Sequence, residues 1–205
     1  MSHAIHTLFL DIGGVLLTNG WDRKARQDAA KSFGLDYTDM EERHHLTYDT
    51  YEAGKLNLDS YLDRVVFFEK RGFTKEQFRM FMISQSHPYE ATIEHFKTLK
   101  QKNNLKIGVI SNEGRELSEY RIRKFELNSW IDFFVVSSFV HIRKPDEDIY
   151  RLALGIAQTP ADHCAYVDDR HLFVEVAQKL GIHSVHHQAL SNTSLALEAL
   201  GLTTK

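Results

Sequence analysis

Four short stretches of this 205-residue chain set reactive side chains beside apolar runs. Asp11 closes the run Leu8-Phe9-Leu10 and is followed by Ile12, Gly13 and Gly14; Ser111-Asn112 closes the run ending at Ile110. The loop His141-Ile142-Arg143-Lys144-Pro145 follows Phe133 to Val136, and Asp168-Asp169 closes Cys164 to Val167. A carboxylate, a hydroxyl, a cation and an acidic pair are the parts needed to move a phosphoryl group. Its charge develops on equatorial oxygens and must be neutralised while attack is held in line. Asp11 and Asp169 would hold Mg²⁺, which takes oxygen ligands and shares them with a phosphate. Gly13 and Gly14 let the backbone turn and approach a ligand closely. Taken singly, Asp11 could merely start a turn, Ser111 could be a turn hydroxyl and Lys144 a surface lysine. Adjacent aspartates closing an apolar strand are harder to explain as structure, because like charges packed together repel unless a cation sits between them.

The elements that must position these residues alternate. An apolar run bounded by turn residues reads as a strand buried on both faces, as in a parallel sheet. Strands are expected up to Asp11 and over Leu105–Ile110, Phe133–Val136, Cys164–Val167 and Ile182–His186. Helices are expected over Tyr89–Gln101, Glu116–Phe125, Asp146–Ala157, Leu172–Leu180 and Thr193–Leu200. Alternating strands and helices indicate βαβ units, and ligands bind such open sheets outside the strand carboxyl ends, where all four stretches would meet. Between the first strand and this region, four helical patterns run without an intervening strand: Trp21–Phe33, Tyr37–Ala53, Leu58–Arg71 and one beginning at Thr74, which forms a capping box with Gln77. The fold class is therefore α/β, a Rossmann-like parallel-sheet core (residues 1–17 and 88–205) carrying an inserted all-helical block (18–87). Trp21, Tyr48, Tyr51, Phe67 and Phe68 could line a pocket, but their helical spacing places them in the core of that block.

Composition narrows the partners. With 42% hydrophobic and 26% charged residues the chain is an ordinary globular protein. A formal net charge of −3 without clustered Lys/Arg gives no reason to expect nucleic acid or an anionic membrane. The single cysteine, Cys164, rules out an intramolecular disulfide and reads as a core residue. Of the twelve histidines, the pairs His44-His45 and His186-His187 are adjacent rather than a helical turn apart, so hydrogen-bonded or solvated roles are expected instead of metal ligation. A short N-terminal apolar stretch without a basic lead, and no long apolar span, lead to the expectation of a cytoplasmic protein, monomeric or dimeric.

The four stretches in this order resemble the motifs of the haloacid dehalogenase superfamily: Asp11 to Leu16, Ile110-Ser111-Asn112, Arg143-Lys144-Pro145-Asp146 and Tyr166-Val167-Asp168-Asp169. The helical insertion is similar to the subfamily I cap, whose loop, here Glu52-Ala53-Gly54-Lys55, commonly faces substrate. The resemblance implies a Mg²⁺-dependent phosphatase acting on a small phosphorylated metabolite, sugar phosphates among the candidates, through an aspartyl-phosphate on Asp11. It further implies metal binding by Asp11, the Gly13 carbonyl and Asp169, with Asp168 in support. Gly13, Gly14, Ser111, Asn112 and Lys144 would bind the phosphate, Ser111 as donor and Lys144 pairing with both phosphate and nucleophile. The helical block would then close as a lid hinged near Thr18–Gly20 and Ser86–Pro88.

Two positions depart from the family pattern. Gly13 stands where a second aspartate usually acts as acid and base, which speaks against phosphomutase chemistry and for activated phosphates as substrates. Phe173 stands where Asn or Asp usually supports the metal. These departures keep open a non-catalytic member that binds a phosphorylated ligand or partner. A receiver domain would carry its acidic pair after the first strand, and a dinucleotide fold would need a fuller glycine fingerprint. A dehalogenase proper would not need Asp168-Asp169.

Overall fold

A computed structural model describes residues 4–204. Five parallel strands, β1 (Thr7–Leu10), β2 (Lys106–Ser111), β3 (Phe133–Val136), β4 (Cys164–Asp168) and β5 (His183–His186), form one sheet in the order β3-β2-β1-β4-β5. β1 is thus central. Leu10 lies beside Val109 on one side and Val167 on the other, and Asp11 N–H extends that ladder to the Val167 carbonyl at 3.0 Å. The two-residue period of a strand sends Leu8 and Leu10 into one apolar layer with Phe96, Leu99 and Trp130, and Phe9 into the opposite layer with Tyr150, Tyr166 and Ala177. That two-sided burial is why the strand reads as a continuous apolar run. Cys164 is fully buried there, its thiol facing the Pro160 carbonyl at 3.3 Å.

Helix α5 (Glu90–Asn103) leads into β2, and α6 (Arg115–Lys124), α7 (Ser137–Val140), α8 (Glu147–Ala157), α9 (His171–Lys179) and α10 (Leu190–Ala199) follow the later strands. Before them come α1 (Arg23–Phe33), α2 (Tyr37–Glu52), α3 (Leu58–Val65) and α4 (Lys75–Ser84), which share their own apolar cluster built on Ala29, Met40, Tyr61, Leu62 and Phe78. Asp22, Asp36 and Asn57 each accept a backbone N–H at a helix start, and Thr74 with Gln77 completes the expected capping box. The expected helix Leu58–Arg71 is shorter, stopping at Val65. The run Val65-Val66-Phe67-Phe68 consists of weak helix formers, and the Arg71 side chain takes the Val66 carbonyl at 2.7 Å in place of a further helical turn. Of the five aromatic side chains expected in this core, Tyr51 and Phe67 pack there, but Phe68 is 38% exposed beneath Arg43.

His44 is buried in this block. Trp21 donates its indole N–H to the Tyr61 hydroxyl (2.8 Å), and the same hydroxyl meets His44 Nδ1 at 2.7 Å. Burial, reinforced by Arg26 and against the pull of Glu41, pushes His44 down to about 3. The unfolded chain therefore takes up a proton near 6.5 that the folded chain refuses, and stability is lost as pH falls below that value. Moving from pH 7 to pH 5 should cost about 2 kcal/mol by this route. Urea unfolding at the two pH values measures it, and His44→Gln, which keeps an acceptor but cannot titrate, should abolish that share of the slope.

Candidate active site

Asp11, one residue beyond β1, meets the ends of its two neighbours: Ser111 closing β2 and Asp168 closing β4. Lys144 reaches them from the loop after α7. Its ammonium, 1% exposed, lies 2.6 Å from Asp168 Oδ2, 3.1 Å from the Tyr166 hydroxyl and 3.2 Å from Asp11 Oδ1. Burial opposes its charge, yet Asp11 and Asp168 hold the lysine above its ordinary range. Asn112 holds the Lys144 loop, donating to the Lys144 carbonyl and accepting the Lys144 N–H, both at 2.8 Å. Its carboxamide thus holds the loop at both ends, beside the cavity it also lines.

The three carboxylates differ in what they are free to do. Asp168 is engaged through both oxygens: Oδ2 accepts from Lys144 and Tyr166, and Oδ1 accepts the Arg170 N–H at 2.7 Å. Asp11 Oδ1 and Asp169 Oδ1 are buried and accept no hydrogen bond, although Asp11 Oδ1 is ion-paired with Lys144 at 3.2 Å. Burial, reinforced by Asp168 and Asp169, pushes Asp11 up to about 7 against the pull of Lys144 and Ser111. Burial and Asp168 raise Asp169 as well. Oxygens of Asp11, Asp168 and Asp169 lie within 4.8 Å of one another. Two orphaned carboxylate oxygens in one acidic pocket fit a hard divalent cation, whose charge would reverse the penalty burial imposes on them. Gly14, at φ +75°, permits the approach, since a side chain there would overlap the Asp169 carboxylate.

A cavity of about 480 Å³ opens over this cluster, lined by Asp11, Asn112, Lys144, Asp169 and Phe173 below and by Trp21, Tyr48 and Glu52 from the helical block above. Trp21 and Tyr48 are therefore both core and lining. Phe173 lays its ring 4.9 Å from the Lys144 ammonium, so its position serves the cation directly. Arg143, the residue before Lys144, binds Asp49 (2.7 Å) and Glu52 (2.5 Å) at the end of α2. Burial raises Glu52 to about 7 despite Arg143. The pair His186-His187 is hydrogen-bonded, His186 Nε2 donating to the Asp169 carbonyl (3.0 Å) and His187 Nδ1 meeting Thr193 Oγ1 (2.8 Å), while of His44-His45 the first is buried and the second exposed.

Sequence reading passed over Asn19, Glu113 and Arg121. Arg121 is fully buried and donates to Glu113, to Ser86 Oγ (3.0 Å) and to the Thr18 carbonyl (2.6 Å). It thus ties the outgoing and returning connections of the helical block to the residue after Asn112. The one signal for it was a charged residue at helical spacing from Leu117 on the inward face of α6. Arg121→Met leaves Glu113 buried and unpaired, and should cost about 3–5 kcal/mol in denaturant unfolding. Adding Glu113→Gln should return part of that loss.

Comparison with known proteins agrees with this geometry. A family model described as haloacid dehalogenase-like hydrolase matches residues 16–186, a stretch that begins just past Asp11. A Thermotoga maritima protein named phosphorylated carbohydrates phosphatase is 24% identical over 202 residues, covering 95% of this chain and 91% of its own. A HAD family enzyme from Bacteroides thetaiotaomicron has a similar structure, with TM-score 0.80, 19% identity and coverage of 95% and 99% of the two chains. The same enzyme in complex with magnesium and inorganic phosphate aligns at TM-score 0.78 with 19% identity, over 91% and 96%. L-2-haloacid dehalogenase from Xanthobacter autotrophicus aligns at 0.64 with 16% identity, over 98% and 84%. With a parallel α/β sheet whose strand ends gather these carboxylates, and a family model spanning well over half its length, the chain belongs to the haloacid dehalogenase-like hydrolases.

Proposed function

We propose that the protein is a Mg²⁺-dependent phosphatase that hydrolyses a small phosphorylated metabolite through an aspartyl-phosphate on Asp11. The observation carrying this reading is the pair of orphaned buried oxygens on Asp11 and Asp169 beside the Lys144 ammonium. Asp11, the Gly13 carbonyl and Asp169 would hold the metal with Asp168 in support, and the ion would neutralise the phosphate and keep Asp11 ionised. One Asp11 oxygen attacks phosphorus, and the bond to the leaving oxygen breaks as the aspartyl-phosphate forms. Ser111 and Lys144 hold the equatorial oxygens while charge develops. Water then attacks phosphorus, the bond to Asp11 breaks, and inorganic phosphate leaves with the carboxylate restored.

Residues 18–87 act as a cap over this chemistry. Their outgoing and returning connections lie side by side: Leu17 bridges Pro88, and Thr18 N–H meets the His87 carbonyl at 2.9 Å. Such paired connections suit a hinge near Thr18–Gly20 and Ser86–Pro88. A cavity of about 480 Å³ suits a molecule of metabolite size, and Tyr48 and Phe173 offer apolar faces beside the polar Glu52 and Arg143, as a sugar phosphate would use. The Thermotoga relative's name supports the same class. The test is phosphate release from p-nitrophenyl phosphate, a panel of sugar phosphates and a folded phosphoprotein, with 2-chloropropionate as the dehalogenase control. Turnover of small phosphates without chloride release is expected. Phosphate binding without turnover would favour the non-catalytic reading that Gly13 and Phe173 leave open.

A further inference from the structure

Gly13 is buried two residues beyond Asp11 and does not adopt a positive φ, so its backbone would accept any side chain. A Cβ at this position would lie 2.9 Å from Asn19 Oδ1 and 3.8 Å from its Cγ. The tip of the exposed Asn19 carboxamide therefore borders the space a side chain at residue 13 would enter, and would have to shift by a few tenths of an ångström to admit it. It lines the same cavity as Asp11, and its Nδ2 donates to Asp169 Oδ2 at 3.4 Å. Its backbone is pinned from both sides. The Thr18 carbonyl before it accepts from Arg121, and Gly20 after it, at φ +68°, packs where a Cβ would overlap the Arg121 guanidinium. Asn19 thus reaches the cluster from the hinge, across the gap left by Gly13.

We propose that Asn19 is a positioning residue of the hydrolytic site, its carboxamide bordering the space beside Asp11 that Gly13 leaves open and orienting first the leaving oxygen and then the attacking water. The role rests on the phosphatase reading above. A carboxamide donates and accepts hydrogen bonds but has no proton to transfer near neutral pH. The leaving oxygen therefore departs as the anion and takes its proton from solvent, while the water that later attacks loses its proton to solvent. Aryl, acyl and anomeric phosphates, whose leaving oxygens need little protonation, should be the better substrates.

Two readouts test the assignment. The first is thermal unfolding, which needs neither substrate nor metal. Gly13→Ala should lower Tm in the parent and much less in an Asn19→Ala background, because the added methyl then meets open space. Equal losses in both backgrounds would overturn this contact. The second is kcat with p-nitrophenyl phosphate and with an alkyl phosphate. Asn19→Ala should lower kcat about tenfold with KM nearly unchanged, the worth of one oriented hydrogen bond. Gly13→Asp joined to Asn19→Ala, where a carboxyl has room, should narrow the aryl-to-alkyl ratio by about 10². An unchanged kcat in Asn19→Ala, or an unchanged ratio in the pair, would overturn the role of Asn19 while leaving the phosphatase reading intact. A parent inactive on every phosphate defeats that reading itself, and the orienting role with it.

Discussion

Asp11→Asn is expected to lower kcat by at least about 10³ on every phosphate the parent hydrolyses, while leaving the protein folded. The amide matches the carboxylate in shape but cannot attack phosphorus. Stability gives the second half of the expectation. Charge on Asp11 is opposed by its burial and by the neighbouring Asp168 and Asp169, and is favoured only by Lys144 and Ser111. Removing that charge relieves more than it sacrifices, so Tm without added metal should stay level or rise. A large activity loss joined to an unchanged or higher Tm separates a lost nucleophile from a damaged fold. An Asp11→Asn protein that turns over at the parent rate would remove Asp11 from the chemistry.

Removing divalent cations should be nearly as severe, with turnover falling by at least about 10² in excess chelator and returning with Mg²⁺. The physical reason is the excess of negative charge at the strand ends. Asp11, Asp168 and Asp169 face the Lys144 ammonium and, 3.7 Å from Asp169, the exposed Arg170 guanidinium, and a phosphate arriving there brings further negative charge. A bound cation should also appear in unfolding without any substrate. At a concentration about 100 times its Kd, a ligand of the native state adds about 2.7 kcal/mol, so Mg²⁺ should raise Tm measurably. Asp169→Asn should erase most of that increase, because it removes one of the two carboxylates with an orphaned oxygen. Activity that persists in chelator, or a Tm indifferent to Mg²⁺, would mean that Lys144 and Arg170 manage the charge without a metal.

What local sequence determined was the parallel sheet and the residues at its edge. Leu8, Phe9 and Leu10 are apolar on both faces because β1 is covered on both, and strands of that kind, alternating with helices, indicate a parallel sheet. Once the strands are parallel, the residues ending them must converge, so Asp11, Ser111 and Asp168 meet without further information. The end of α3 was less legible, because whether Val66 to Arg71 continues a helix depends on Arg71 folding back onto the Val66 carbonyl.

Tertiary structure alone decided what surrounds that edge. Arg121 joins a carbonyl 103 residues away, and Asn19 approaches an aspartate 150 residues away. No periodicity encodes such contacts, because they arise only when the helical block is seated on the sheet. The same seating set Arg143 against Asp49 and Glu52, and placed Trp21 and Tyr48 over the cavity as well as in the bundle core. Gly13 shows the division most clearly. The chain itself displays a missing carboxylate, but only packing shows that the Asn19 side chain comes up to the space it leaves, since a glycine in sequence does not say whose side chain will border it.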